Sequence, residues 1–177
     1  LERANLMYNE FVIIGPKKDP LKISNSSSVA ESFTKIYKNN LSFISRSDNS
    51  GTHLSELRIW KSINLNPKNY SGSWYLESGQ GMGKTLNLAI GANAYTYSDI
   101  STWIKFKNKQ NHQILFSGDN LMFNQYGIVK INPNHCDNIN IKYSNYLYNW
   151  LLSNEGQSII SNYRLNGKVL FVPNFNN

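Results

Sequence analysis

Apolar residues come in short bursts along this chain, broken by polar turns, and the bursts alternate in period. Met7 to Ile14 (MYNEFVII) predicts a strand closed by Gly15-Pro16. Lys17 to Lys22 predicts a polar loop. Ser28-Val29-Ala30-Glu31 is a capping-box pattern that opens an amphipathic helix carrying Val29, Phe33, Ile36 and Tyr37. Leu41 to Ile44 predicts a buried strand, and helical spacing follows to about Ile63. Trp74 to Leu76 predicts a short strand, Leu86 to Ala92 a helix, Ala94 to Tyr97 a strand, Ser98 to Phe106 a helix and Ile114 to Phe116 a strand. Tyr126 to Ile131 predicts another strand. Tyr143 to Leu152 and Gln157 to Tyr163 predict helices, and Val169 to Val172 a last strand before Pro173. Alternating strands and helices point to an α/β fold.

Two of the connections carry candidate chemistry. Between the strand ending at Ile44 and the next helix lies Ser45-Arg46-Ser47-Asp48-Asn49-Ser50-Gly51-Thr52-His53. A strand-to-helix turn of this kind is a socket for a tetrahedral oxyanion. The first helix amides have no internal partner, and the helix dipole favours negative charge there. Gly51 permits close backbone approach, Ser50 and Thr52 add donors, and Arg46 adds a charged fork. The same residue types also serve as plain cap and turn residues, with Arg46 paired to Asp48.

The second connection is Glu77-Ser78-Gly79-Gln80-Gly81-Met82-Gly83-Lys84-Thr85. Gly83-Lys84-Thr85 ends like a nucleotide-binding P-loop, but that pattern requires Gly at position 78, which is Ser. The sequence reads better as another helix N-terminus whose Gly81, Met82 and Gly83 amides face an anion. A Gly turn that serves only close packing remains the competing reading.

Composition and charge narrow the classes. The chain has 177 residues, 40% of them hydrophobic, enough for one domain or two small lobes. No stretch approaches the ~18 to 20 apolar residues of a membrane span. A formal charge of +7 suits an anionic partner, yet the basic residues are scattered, as on an ordinary soluble surface. The aromatic segment with Tyr143, Tyr146, Tyr148 and Trp150 lacks interleaved basic residues, so it reads as packing surface rather than a nucleic-acid platform. Cys136 is the only cysteine, and His53, His112 and His135 are dispersed, the last two in predicted loops. No metal site, cofactor or catalytic residue is expected. No Gly-x-Ser-x-Gly elbow is present.

Several ordered stretches are similar to one known family: MYNEFVIIGPKKDP, FISRSDNSGTH, WYLESGQGMGKTLNLA, AYTYSD, NQYGIVKINP and WLLSNEGQSII. The chain resembles the substrate-binding proteins of bacterial tungstate (tungstate/molybdate) ABC transporters. The Arg46-to-Thr52 spacing is also similar to the anion loop of phosphate-binding relatives. The resemblance implies a periplasmic-binding-protein (type II) α/β fold. One lobe would be complete, over 16–117. Residues 1–15 and 118–177 would form a hinge strand and the C-terminal part of a second lobe. It implies tungstate or molybdate as ligand, a membrane permease as partner, no enzymatic activity, a monomeric state and a location outside the inner membrane. The implied ligand-binding residues are Arg46, Ser50, Gly51, Thr52, Gly81 and Met82. The family's N-terminal segment, with its Thr/Ser-rich turn, has no counterpart in Leu1 to Glu10. The chain is therefore expected to hold one wall of the site, with any membrane anchor in a preceding segment. Lys84 stands where a small neutral residue is expected.

Overall fold

The structure is a computed structural model that describes residues 2–136 and 138–175. It separates into two compact units, Glu10–Phe123 and Leu1–Asn9 with Asn124–Asn177. The first strand, β1 (Arg3–Pro16), starts earlier than the apolar pattern suggests and runs through both units.

In the first unit, β1 is followed by α1 (Val29–Lys38), β2 (Phe43–Ser45), α2 (Gly51–Ser62), β3 (Tyr75–Glu77), α3 (Met82–Gly91), β4 (Tyr95–Asp99), α4 (Ile100–Lys105) and β5 (His112–Phe116). The sheet order is β3-β2-β4-β1-β5. β2 pairs in parallel with β3 and β4, and β1 runs antiparallel to β4 and β5. The α/β expectation holds. The connections after β2 and β3, which carry the candidate chemistry, therefore leave the sheet at the same edge.

Both faces of this sheet are covered, which is why β1 reads as an apolar run near its end. Phe11 and Ile13 face a core with Phe33, Ile36, Phe43, Ile59, Trp60, Tyr75 and Tyr97. Val12 and Ile14 face Met82, Leu86, Ile90 and Trp103 on the other side. The strand period of two splits neighbouring residues between the layers. Phe33 and Trp60 tie α1 to α2, with ring centroids 4.4 Å apart.

Several expectations shift at element ends, among them the strand expected at Tyr126 to Ile131 and the helix expected from Gln157, which begin at Phe123 and Asn154. Ser98 belongs to β4, because Asp99 caps the next helix by accepting from Thr102 N at 2.8 Å. His112 was expected in a loop but lies in β5, 2% exposed, with Nε2 3.1 Å from Ala94 O. The last predicted strand is divided between β8 (Lys168–Val169) and β9 (Val172–Pro173), β8 pairing with β7 (Arg164–Leu165).

The second unit contains β6 (Phe123–Val129) from Asn124 onward, α5 (Ile141–Leu152) and α6 (Asn154–Asn162). β6 and β9 both pair with β1. On α5, Tyr148 is buried, while Tyr143, Tyr146 and Trp150 are exposed.

Gly15 marks the tightest crossing in the first unit. A Cβ there would lie 2.6 Å from Tyr95 Cδ1 and 2.7 Å from Leu115 Cδ1. Gly15→Ala should lower stability by ~1–3 kcal/mol through overpacking. Denaturant unfolding checks this, and an unchanged midpoint would refute it.

Candidate functional site

The turn between β2 and α2 is closed by an accounting of its amide protons. Ser47 and Asn49 both have left-handed backbone, with φ 47° and 58°. Ser47 N donates to Ser45 Oγ at 3.2 Å, and Asn49 N donates to His53 Nδ1 at 3.1 Å. Ser50 N donates to Asp48 Oδ1 at 3.2 Å. Ser50 is the N-cap of α2, its Oγ accepting from His53 N at 3.4 Å. What remains is the Asp48 amide and the pair of first helix amides, Gly51 and Thr52. The helix amides have no partner among the described residues, as expected at a helix start. The Thr52 hydroxyl likewise has no partner among the described residues, whereas the Ser50 side chain both accepts from His53 N and hydrogen-bonds the Asp48 carboxylate.

Arg46 is held rather than free. Nε donates to Asp48 Oδ2 at 3.0 Å and Nη2 donates to the same oxygen, while Nη1 keeps its donors. Burial alone would raise the Asp48 carboxyl, but the hydrogen bonds from Ser50 and Arg46 outweigh it and hold it below the usual range. The pair fixes the guanidinium and cancels much of its net charge. A closed cap and unspent donors thus coexist in one turn.

Below the turn sits Glu56, 1% exposed. Its carboxyl receives Ser45 Oγ at 2.7 Å, Tyr75 Oη at 2.8 Å and Trp60 Nε1 at 3.1 Å. Burial pushes Glu56 up to about 7. Glu77 receives Ser47 Oγ at 2.5 Å, and its hydrogen bonds from Ser47 and Ser71 hold it below the usual range.

The second candidate turn is stitched to the first through Ser78. Ser78 N donates to Ser45 O at 2.9 Å, and Ser78 Oγ donates to Arg46 O at 3.2 Å. Gly81 is the N-cap of α3, with no side chain to close it. The amides of Gly81, Met82 and Gly83 have no partner among the described residues. The Met82 side chain, by contrast, is buried against Leu86 and offers nothing to a ligand. Thr85 is fully buried, its Oγ1 2.8 Å from Ser78 Oγ, and Lys84 Nζ donates to Gln80 Oε1 at 3.2 Å. With its hydroxyl turned inward, Thr85 cannot serve a nucleotide-bound metal as a P-loop residue does.

The structure therefore brings two helix N-termini together at one sheet edge, each with an end charge of roughly +0.5. This unit also contains a contrasting case. At α1 the equivalent first amide, Val29 N, donates to Asp119 Oδ2 at 2.9 Å. An internal carboxylate fills that helix end, whereas α2 is left open. Sequence reasoning missed Ser45, Glu56, Glu77 and Ser78, which carry the turns. Ser78 was visible as the residue that breaks the P-loop pattern. Glu56, on a helix with little amphipathic contrast, gave no signal.

The family model described as a PBP superfamily domain matches residues 3–155. The chain belongs to the PBP superfamily. Within this superfamily it is 37% identical to the tungstate-binding protein TupA of Peptoclostridium acidaminophilum, over 98% of this chain and 61% of the relative. It is 34% identical to TupA of Campylobacter jejuni, over 97% of this chain and 64% of the relative. Among solved PBP structures, the tungstate-binding protein TupA from Desulfovibrio alaskensis G20 superimposes with a TM-score of 0.85 and 39% identity. That match covers 99% of this chain and 71% of the solved one. The chain thus spans 61–64% of the length of these curated relatives.

Glu56 gives the site a pH signature. The folded chain keeps the Glu56 proton to about pH 7, while the ordinary carboxyl value is 4.5. Between those values the folded chain binds more protons than the unfolded chain, so this contribution to stability falls as pH rises. Glu56→Gln, a neutral replica of the protonated acid, should remove a slope of at most about 3 kcal/mol. Urea unfolding of both proteins across this window measures the difference, and parallel profiles would contradict it.

Proposed function

We propose that this chain binds tungstate, or molybdate, at the paired turns after β2 and β3, as the anion-capturing component of an ABC transporter. The observation that carries this reading is the open N-terminus of α2, with the Gly51 and Thr52 amides unspent beside Arg46. Tungstate at neutral pH is a dianion whose oxygens only accept hydrogen bonds. The site offers it Arg46 Nη1, the Thr52 hydroxyl, the Ser50 hydroxyl once it turns from Asp48, the amides of Gly51 and Thr52, and those of Gly81 and Met82. Asp48 orients Arg46 and does not face the ligand.

The printed names of the relatives support the same ligand class. The protein then acts by binding and not by catalysis. It works as a monomer outside the inner membrane, its partners being the oxyanion and a membrane permease, with no nucleic acid involved. Among the described residues no helix is long and apolar enough to cross a membrane. The nucleotide alternative loses its support with the burial of Thr85.

Hydrogen bonds to a charged group contribute ~1.5–3 kcal/mol each, so Arg46→Ala should weaken tungstate binding by at least about tenfold. Titration calorimetry with sodium tungstate tests this. Unchanged affinity in the variant would remove the assignment.

A further inference from the structure

The capping of α1 and α2 follows one plan with one chemical difference. In α1 the N-cap Ser28 Oγ accepts from Glu31 N at 3.1 Å, and Glu31 Oε2 reaches back to accept from Ser27 N at 2.7 Å. In α2 the N-cap Ser50 Oγ accepts from His53 N, and His53 Nδ1 reaches back to accept from Asn49 N at 3.1 Å. In each helix the third residue closes the amide just before the cap, a shifted form of the capping box. α1 uses a carboxylate for this, and its end is already filled by Asp119. α2 uses an imidazole, and its end is open.

We propose that His53 is a positioning residue for the oxyanion site. It is a neutral acceptor that locks the Asn49 turn where the usual acidic capping residue would repel the bound anion. This inference rests on the oxyanion reading above.

Three observations support it. Accepting from Asn49 N leaves the ring proton on Nε2, so the imidazole is uncharged. His53 is 1% exposed, and Nε2 has no hydrogen-bond partner among the described residues. Burial, then the charge of Lys68, holds its pKa below the ordinary histidine value, with Asp48 and Glu77 acting in the opposite sense and Arg46 in the same one. The local charge also leaves little room for another acid. Arg46 is already paired with Asp48, and Glu77 lies against Ser47. A carboxylate at position 53 would sit in the same first helical turn as the Gly51 and Thr52 amides, directly after them in the chain.

The decisive pair is His53→Gln and His53→Glu, which place the same acceptor at the same reach and differ by one charge. Two readouts are needed on the whole chain, followed from about pH 7 to 9 so that a buried Glu passes from neutral to ionised, the comparison below being made at the ionised end. One is sodium tungstate affinity by calorimetry. The other is amide hydrogen exchange at Asn49 by NMR. Both variants should keep Asn49 protected as in the parent. His53→Gln should bind tungstate within about threefold of the parent, and His53→Glu about tenfold more weakly or worse. The gap should narrow as salt is added. If the longer side chains prevent folding, His53→Asn and His53→Asp form the same contrast. A charged variant that binds as tightly as its neutral partner would overturn the role of His53, as would rapid exchange at Asn49 in the parent. Absence of tungstate binding in the parent itself would instead remove the oxyanion reading on which the role depends.

Discussion

Two adjacent amide protons, on Gly51 and Thr52, lack an acceptor among the described residues, and the side chains around them leave both unspent. Unspent donors at a helix start are ordinary when water or an acidic side chain covers them. Here the neighbouring acids are all engaged elsewhere. Asp48 holds Arg46 and Ser50 N, Glu77 holds Ser47, and Glu56 is buried under Ser45. The helix end can attract an anion because no internal carboxylate has taken the place that Asp119 takes at α1.

The turn keeps its shape through its own side-chain hydrogen bonds. Left-handed backbone at Ser47 and Asn49 persists only where the surroundings over-determine it. Ser47 is fixed by Ser45 and Glu77, and Asn49 by His53. Ser78 then couples this turn to the next by bonding both Ser45 and Arg46. The parallel pairing of β2 with β3 makes that coupling available, since it delivers both helix starts to one edge of the sheet. Fold and site are thus linked through a few hydroxyls.

Much of this was legible in the sequence because local patterns agreed with the global fold. The apolar run at Phe11 to Ile14, the Ser28 cap and the Arg46-to-Thr52 turn each fall where the pattern puts them. The ordered similarity to tungstate-transporter binding proteins added the fold family that periodicity could not supply. What stayed hidden was decided by tertiary contacts. Glu56 looks like a surface acid on a helix until Tyr75 and Trp60 enclose it. His112 looks like a loop residue until β5 pairs with β1 and buries it. The expectation for Met82 concerned only its amide, and the burial of its side chain beside Leu86 was equally hidden.

The most direct test is an amide-resolved NMR titration of the chain with sodium tungstate. The resonances of Gly51 and Thr52 should move on saturation, together with those of Gly81 and Met82. The Ser47 and Asn49 amides, already bonded to Ser45 and His53, should move least within the turn. Shifts confined to other surfaces, with Gly51 and Thr52 unmoved, would contradict the account.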